Sequence, residues 1–314
     1  MKSLFLLGSP YWCRYLETQF RKEGVEAQYV PHRSILRVFS NCDANLLLVG
    51  YGTRFSLKHA AIWLVIFLWW LARRRRENIF VYWIGTDAAC PGAGSGSRLL
   101  VWLLNRVHAR HLCGAPWFVE ALLAHGIRAQ PVLFPYDTSS ALALAEYRPD
   151  PIPFRILVYL TRGSWENMNG AKLLELARQT PELEWSVIGM LCSQVPEEQH
   201  IPPNMRFLGW VEDPLAVMSL SHVFIRLVDH DAYSGMVRDA QAMGKIVLYS
   251  KPLDGVIDIS GKPIPEMADI LVRISKGEWD GQIDASIKAA ENPLPLFSDQ
   301  VKNLIRALEL GERS

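Results

Sequence analysis

Residues 204–249 read NMRFLGWVEDPLAVMSLSHVFIRLVDHDAYSGMVRDAQAMGKIVLYS, and the order of elements in them decides the fold. Arg206–Leu208 is a short strand closed by Gly209. Pro214–Ser219 is a helix. His222–Arg226 is a second strand. The loop His230–Gly235 leads into a helix over Met236–Met243, and Lys245–Tyr249 is a third strand. Strands alternating with helices are the mark of a parallel sheet covered by helices on both faces.

The same alternation extends outward in both directions. Upstream lie a strand at Arg155–Leu160, a helix at Gly170–Gln179 and a strand at Trp185–Ile188 closed by Gly189. Downstream, Asp299–Leu310 has the spacing of an amphipathic helix. Residues 147–154, YRPDPIPF, hold three prolines and read as a linker. Before the linker the alternation runs again. Strands are expected at Lys2–Leu7, Glu26–Val30, Asn45–Val49, Ile79–Ile84 and Gln130–Phe134. Helices are expected at Tyr11–Lys22, Lys58–Arg76, Leu99–His108 and Trp117–His125. The expected architecture is α/β, with a first domain over 1–150 and a second over 151–314. The last helix, 299–310, is free to pack back on the first domain. Two such domains imply a cleft, and ligands of open α/β sheets bind beyond the carboxyl ends of the strands.

Composition narrows the function. The chain has 314 residues, 50% of them hydrophobic, which supplies sizeable cores and excludes global disorder. The net charge of +1 speaks against a wholly basic nucleic-acid binder. Charge is nevertheless uneven. Residues 1–150 hold 17 basic and 10 acidic side chains, and the remainder 16 and 22, so the halves suit different partners. The five cysteines are odd in number, widely spaced and never arranged CxxC, which fits reduced thiols in a cytoplasmic protein rather than a zinc ribbon or a disulfide scaffold. The N-terminus reads as a strand and not as a signal peptide.

The chemistry points to the loop and helix around Gly235. A helix N-terminus offers free N–H groups and a partial positive charge, so a phosphate or a polar sugar sits well there. Asp231 precedes this helix and Asp239 lies inside it. Carboxylates accept hydrogen bonds from hydroxyl groups, which suits a sugar. The competing reading is an N-cap, Asp231 or Ser234, with a solvated Asp239.

This stretch resembles the C-terminal site of the family-four retaining glycosyltransferases, which have the GT-B fold. Their pattern E-G-F-G-x-x-x-x-E-A-M-A-x-G-x-P-V is matched here by Asp231, Tyr233, Ser234, Asp239, Ala240, Ala242, Met243, Gly244 and Val247. Phe207-Leu208-Gly209-Trp210-Val211 looks like the family's F-L-G-x-V, and Asp213-Pro214-Leu215 like its D-P-L. The chain departs in having Asp where Glu is usual, Ser234 for Gly and Ile246 for Pro. The family also carries G-R…K-G after the first strand of this domain. Arg162 fits the arginine, whereas Asn169 precedes Gly170 and the nearest lysine is Lys172.

The resemblance implies a transferase that takes a sugar from a nucleotide-sugar donor, UDP- or GDP-linked, and passes it to a saccharide or lipid-linked saccharide. No cofactor and no metal are expected. Arg162 and Lys172 would bind the diphosphate, with N–H groups from Ser234, Gly235 and Met236. Asp231 would meet the donor sugar and Asp239 the ribose. In the first domain Gly8 would approach the phosphates and Asp87, in Gly85-Thr86-Asp87, would face the acceptor. Closure of the domains would exclude water. A non-catalytic sugar-nucleotide-binding subunit and a sugar-nucleotide epimerase are the alternatives.

Three further features are weighed against plainer readings. The glycine-rich loop 92–97, GAGSGS, lacks the GxGxxG register and a following Lys-Ser/Thr, so it reads as an acceptor-side loop. His108 and His111 sit at i, i+3 on an expected helix with no third ligand, an ordinary helix face. Between Lys58 and Arg73 lie 14 uncharged residues, too few to span a bilayer, which needs about 20. This helix, Ile62–Arg76, is either buried or docks on an anionic membrane surface at the inner face, its four arginines contributing about 1 kcal/mol each.

Overall fold

The computed structural model describes residues 3–31, 34, 45–50, 64, 68, 79–85, 88, 102, 105–106, 109–147, 149–278, 281, 284 and 295–309. They form two compact units. The first contains the described residues of Met1–Tyr136, His230–Tyr233 and Pro295–Ser314. The second contains those of Asp137–Asp229 and Ser234–Leu294. Each unit is built on one six-stranded parallel sheet, the α/β architecture of the GT-B type.

In the first unit the strands are β1 (Leu4–Gly8), β2 (Ala27–Tyr29), β3 (Asn45–Val49), β4 (Ile79–Trp83), β5 (Arg110–Cys113) and β6 (Ala129–Pro131). Their order is β2-β1-β3-β4-β5-β6. Every position of β1 and β4 is buried, because a parallel sheet covered on both faces has no solvent side. The alternation of side chains divides the core in two. Phe5, Leu7, Leu46, Leu48, Val81 and Trp83 face helix α2 (Phe118–Leu123) through Phe118 and Leu122. Leu4, Leu6, Leu47, Phe80 and Tyr82 face α1 (Pro10–Lys22), which contributes Cys13, Leu16 and Phe20. The final helix adds Val301, Leu304 and Leu308 to this second face.

The second unit holds α3 (Ser139–Leu142) and the strands β7 (Arg155–Tyr159), β8 (Glu184–Ile188), β9 (Met205–Gly209), β10 (Val223–Arg226), β11 (Ile246–Tyr249) and β12 (Ile257–Asp258). The order β12-β11-β10-β7-β8-β9 is that of dinucleotide-binding sheets. Its helices are α4 (Gly170–Gln179), α5 (Pro214–Ser219), α6 (Gly235–Ala242) and α7 (Ile264–Ser275). Asp213 caps α5, accepting from the Ala216 N–H at 3.0 Å. The last helix, α8 (Phe297–Glu309), belongs by its contacts to the first unit.

Three expectations are corrected. Residues Arg110–Cys113 form a strand, so His111 is on a sheet and not on a helix face. Two polar residues in four hide a strand from any periodicity. Strand β6 ends at Pro131 instead of Phe134, because Phe134 turns aside to pack edge-on against Trp12, 4.9 Å between ring centroids. Helix α7 was not expected at all, although Met267, Ile270, Leu271 and Ile274 carry helical spacing behind Pro263. The expected helices Lys58–Arg76 and Leu99–His108 lie largely outside the described residues. Leu64, Leu68, Trp102, Asn105 and Arg106 are helical. Among the described residues no helix is long and apolar enough to cross a membrane.

Candidate functional site

The second sheet reverses direction beside β7. From β7 the chain runs to β8 and β9 on one side, then returns to lay β10, β11 and β12 on the other. At such a switch point the loops after the two adjoining strands part, leaving a crevice at their carboxyl ends. Here those loops are 160–169, after β7, and 227–234, after β10.

The first loop is tightly folded. Thr161 Oγ1 donates to Ser164 Oγ at 2.8 Å, and the N–H of Met168 donates to the Ser164 carbonyl at 2.9 Å. Trp165 is buried under the start of α4, where the Gly170 N–H donates to its carbonyl. A Cβ on Gly170 would lie 2.3 Å from the Trp165 ring, so only glycine fits. Asn169 precedes it at φ +50°, a left-handed conformation that asparagine tolerates. Arg162 projects from this loop, exposed, with no ion pair among the described residues. Lys172 is exposed in the first turn of α4.

The second loop is fastened from both sides. Ser250, after β11, accepts from the Val228 N–H at 2.8 Å and donates to the Val228 carbonyl at 2.7 Å. Helix α6 then starts with Ser234 at the cap position, but the Ser234 side chain makes no capping bond. The Val237 and Arg238 N–H groups both turn to the Ser234 carbonyl. The Gly235 and Met236 N–H groups have no acceptor among the described residues. The tip of α6 therefore presents unspent donors and the positive end of the helix dipole, an arrangement suited to an anion.

The contacts divide the expected set of residues. Arg162, Lys172, Ser234, Gly235, Met236 and Asp239 belong to the second unit. Asp239 is only 4% exposed, inside α6. Asp231 belongs with its neighbours 230–233 to the first unit. Its carbonyl accepts from Trp117 Nε1 at 2.8 Å, and Ala232 packs on the core beneath α2. Gly8 ends β1 at the first sheet's own switch point, beside β3. Its φ is +135°, and a Cβ there would lie 2.0 Å from the Val49 carbonyl oxygen. Asp87 and the loop 92–97 lie outside the described residues. No cluster of three His, Cys, Asp or Glu side chains able to hold a metal occurs among the described residues. A cavity of about 350 Å³ in the first unit, between β6 and α8, contains none of the candidate residues.

Two buried arginines and one aspartate escaped the sequence reading. Arg226 ends β10 at 8% exposure, its guanidinium 5.9 Å from the centre of the Tyr159 ring at the end of β7. Arg238, in α6, is 2% exposed. A charged residue inside the apolar run VFIRLV was the signal for the first, since arginine is rarely buried without a purpose. Asp229, three residues after β10, carried no sequence signal.

No protein-family model and no curated protein matches the chain. Solved structures do. The Anabaena protein HepE in complex with UDP superposes with a TM-score of 0.70 at 14% identity, covering 99% of this chain and 100% of that one. A glycosyltransferase from Rickettsia africae superposes at 0.69 with 9% identity, covering 100% and 99%. HepE has also been solved with UDP-glucose, at a TM-score of 0.62, 11% identity and 98% coverage of both chains. At these identities the likeness establishes the shared GT-B fold.

Proposed function

We propose that this chain is a retaining glycosyltransferase, moving a hexosyl or N-acetylhexosaminyl group from a UDP- or GDP-linked donor to a saccharide or lipid-linked saccharide, without an obligatory metal. One observation carries the reading. At the switch point of a dinucleotide-type sheet, an exposed arginine without an ion pair among the described residues and N–H groups without an acceptor among them occur together at a helix tip. The shared fold with UDP-bound HepE supports it.

In this reading the diphosphate lies at the tip of α6. Arg162 offers a planar guanidinium that grips two phosphate oxygens. Gly235 and Met236 add N–H donors, Ser234 its backbone, and Lys172 a second cation. As the sugar–phosphate bond breaks, negative charge accumulates on the leaving diphosphate. Fixed positive groups stabilise that charge without having to reorganise. Asp231 contributes to the sugar, Asp239 to the ribose, Gly8 to the phosphates and Asp87 to the acceptor. The surface at Leu64 and Leu68, four residues apart, helical and more than half exposed, is assigned to an anionic membrane carrying a lipid-linked acceptor.

The test is transfer from UDP- and GDP-sugars to saccharide acceptors, with the product's anomeric configuration read by NMR. Retention is expected, and turnover falling about 10²–10³-fold in Arg162→Ala. Turnover unchanged in both Arg162→Ala and Asp231→Ala contradicts the reading. Tight donor binding with no transfer marks the chain instead as a non-catalytic binding subunit, a role that the Asn169 departure also suits.

A further inference from the structure

Asp229 lies three residues past the end of β10, at the second sheet's switch point, and is the last of the second unit before the chain passes to the first. Three contacts hold it, each from a different direction. Its N–H donates to the Asn167 carbonyl at 2.9 Å, in the loop after β7. Its carbonyl accepts from Lys251 Nζ at 2.6 Å, in the loop after β11. Its carboxylate Oδ1 accepts from Asn169 Nδ2 at 2.9 Å, immediately before α4. The residue is nonetheless exposed. A loop aspartate with no task would keep its rotamer freedom. This one is fixed at backbone and side chain by groups from both neighbouring loops.

The partner of the carboxylate matters. The glycosyltransferase pattern places a lysine where this chain has Asn169. A lysine would neutralise Asp229. The neutral amide of Asn169 orients the carboxylate and leaves its charge intact, and among the described residues no cation pairs with that carboxylate. An ionised carboxylate has about four acceptor positions, of which Asn169 takes one. What remains is an oriented anionic acceptor beside the crevice. It repels a diphosphate and attracts hydroxyl groups, whose hydrogen bonds to a charged acceptor are among the stronger ones.

We infer that Asp229 is a positioning residue for the donor's sugar ring, accepting hydrogen bonds from its hydroxyl groups, with Asn169 setting the carboxylate's direction. The inference rests on the function proposed above. It assigns to the second unit's own sheet a sugar contact that the sequence pattern gives to Asp231.

Calorimetry on the full chain tests it. Wild type is titrated with UDP-glucose, UDP-N-acetylglucosamine and GDP-mannose. The tightest is then compared with its own nucleoside diphosphate, which keeps the ribose hydroxyls but lacks the sugar. Asp229→Asn is expected to bind the diphosphate at least as tightly as wild type does and the nucleotide sugar about tenfold more weakly. Asn169→Ala is expected to shift the same ratio in the same direction, by less. Equal weakening of both ligands would show a purely structural role, and an unchanged ratio in both variants would show none; either overturns the inference alone. Failure of wild type to bind any of these ligands overturns the proposed function, and this inference with it.

Discussion

Both sheets reverse their strand order beside their first strand, yet the two reversal points are built from different materials. In the first unit main chain closes on main chain. Ser9 N–H donates to the Val49 carbonyl at 3.0 Å, and Gly8 approaches that same carbonyl so nearly that a methyl group has no room. In the second unit the corresponding place is furnished with side chains: Arg226 against Tyr159, Asp229 tied by Asn169, and Arg162 reaching outward. Two six-stranded parallel sheets, each reversing beside its first strand, therefore do not have equal capacity. One switch point is a joint and the other a set of charges, which is why function is argued from the second.

The sharpest way to break this contrast is at the two glycines. Gly8→Ala meets backbone at 2.0 Å and a φ of +135° that L-residues avoid, and neither can relax. A loss of roughly 3–5 kcal/mol is expected by denaturant titration, strain and overpacking acting together. A loss below about 1 kcal/mol would mean that the first switch point is not closed by backbone.

The next largest effect is a pH dependence in the first unit. His111 is 7% exposed, and its Nδ1 accepts from Trp83 Nε1 at 3.2 Å. That bond leaves the proton on Nε2. Burial lowers the pKa to about 4. Because the folded value is depressed, the neutral form's contribution is complete above pH 6.5 and is lost as pH falls toward 4. The full span amounts to about 3 kcal/mol. His111→Gln should flatten the stability–pH curve over that interval. A slope unchanged by the substitution would place the acid sensitivity elsewhere.

The smallest effect is expected at Gly170, where the obstacle is the Trp165 side chain and not backbone. Gly170→Ala should cost roughly 1–3 kcal/mol. Trp165→Leu should make the same change cheaper, a coupling readable in a double-mutant cycle. If Gly170→Ala costs as much as Gly8→Ala, with no coupling to Trp165, the distinction between the two joints fails.

The elements of the second unit were largely legible, because Ile156–Val158 and Val223–Ile225 are short runs of β-branched and large apolar residues, buried on both faces. Asn45–Val49 and Gly170–Gln179 end where their flanking residues indicate. The strand at Arg110–Cys113 was illegible because its polar half, a partly exposed Arg110 and a buried His111, is held by tertiary contacts that no local pattern announces. For the candidate site, a motif that names residue types led to Arg162 and Gly235, which the fold places after β7 and at the start of α6. No local pattern marked Asp229, whose contacts come from partners 60 and 22 positions away in sequence. Nor did spacing tell that residues 230–233 belong by their contacts to the first unit.

The claim on which the rest stands is that the second switch point grips a nucleotide's diphosphate. Calorimetric titration of UDP and GDP into wild type and Arg162→Ala tests it most directly. The expected result is saturable binding of one nucleotide, weakened roughly tenfold or more by loss of the guanidinium, consistent with a charge-assisted contact. Wild-type binding that survives Arg162→Ala undiminished, or no binding of either nucleotide, would contradict it.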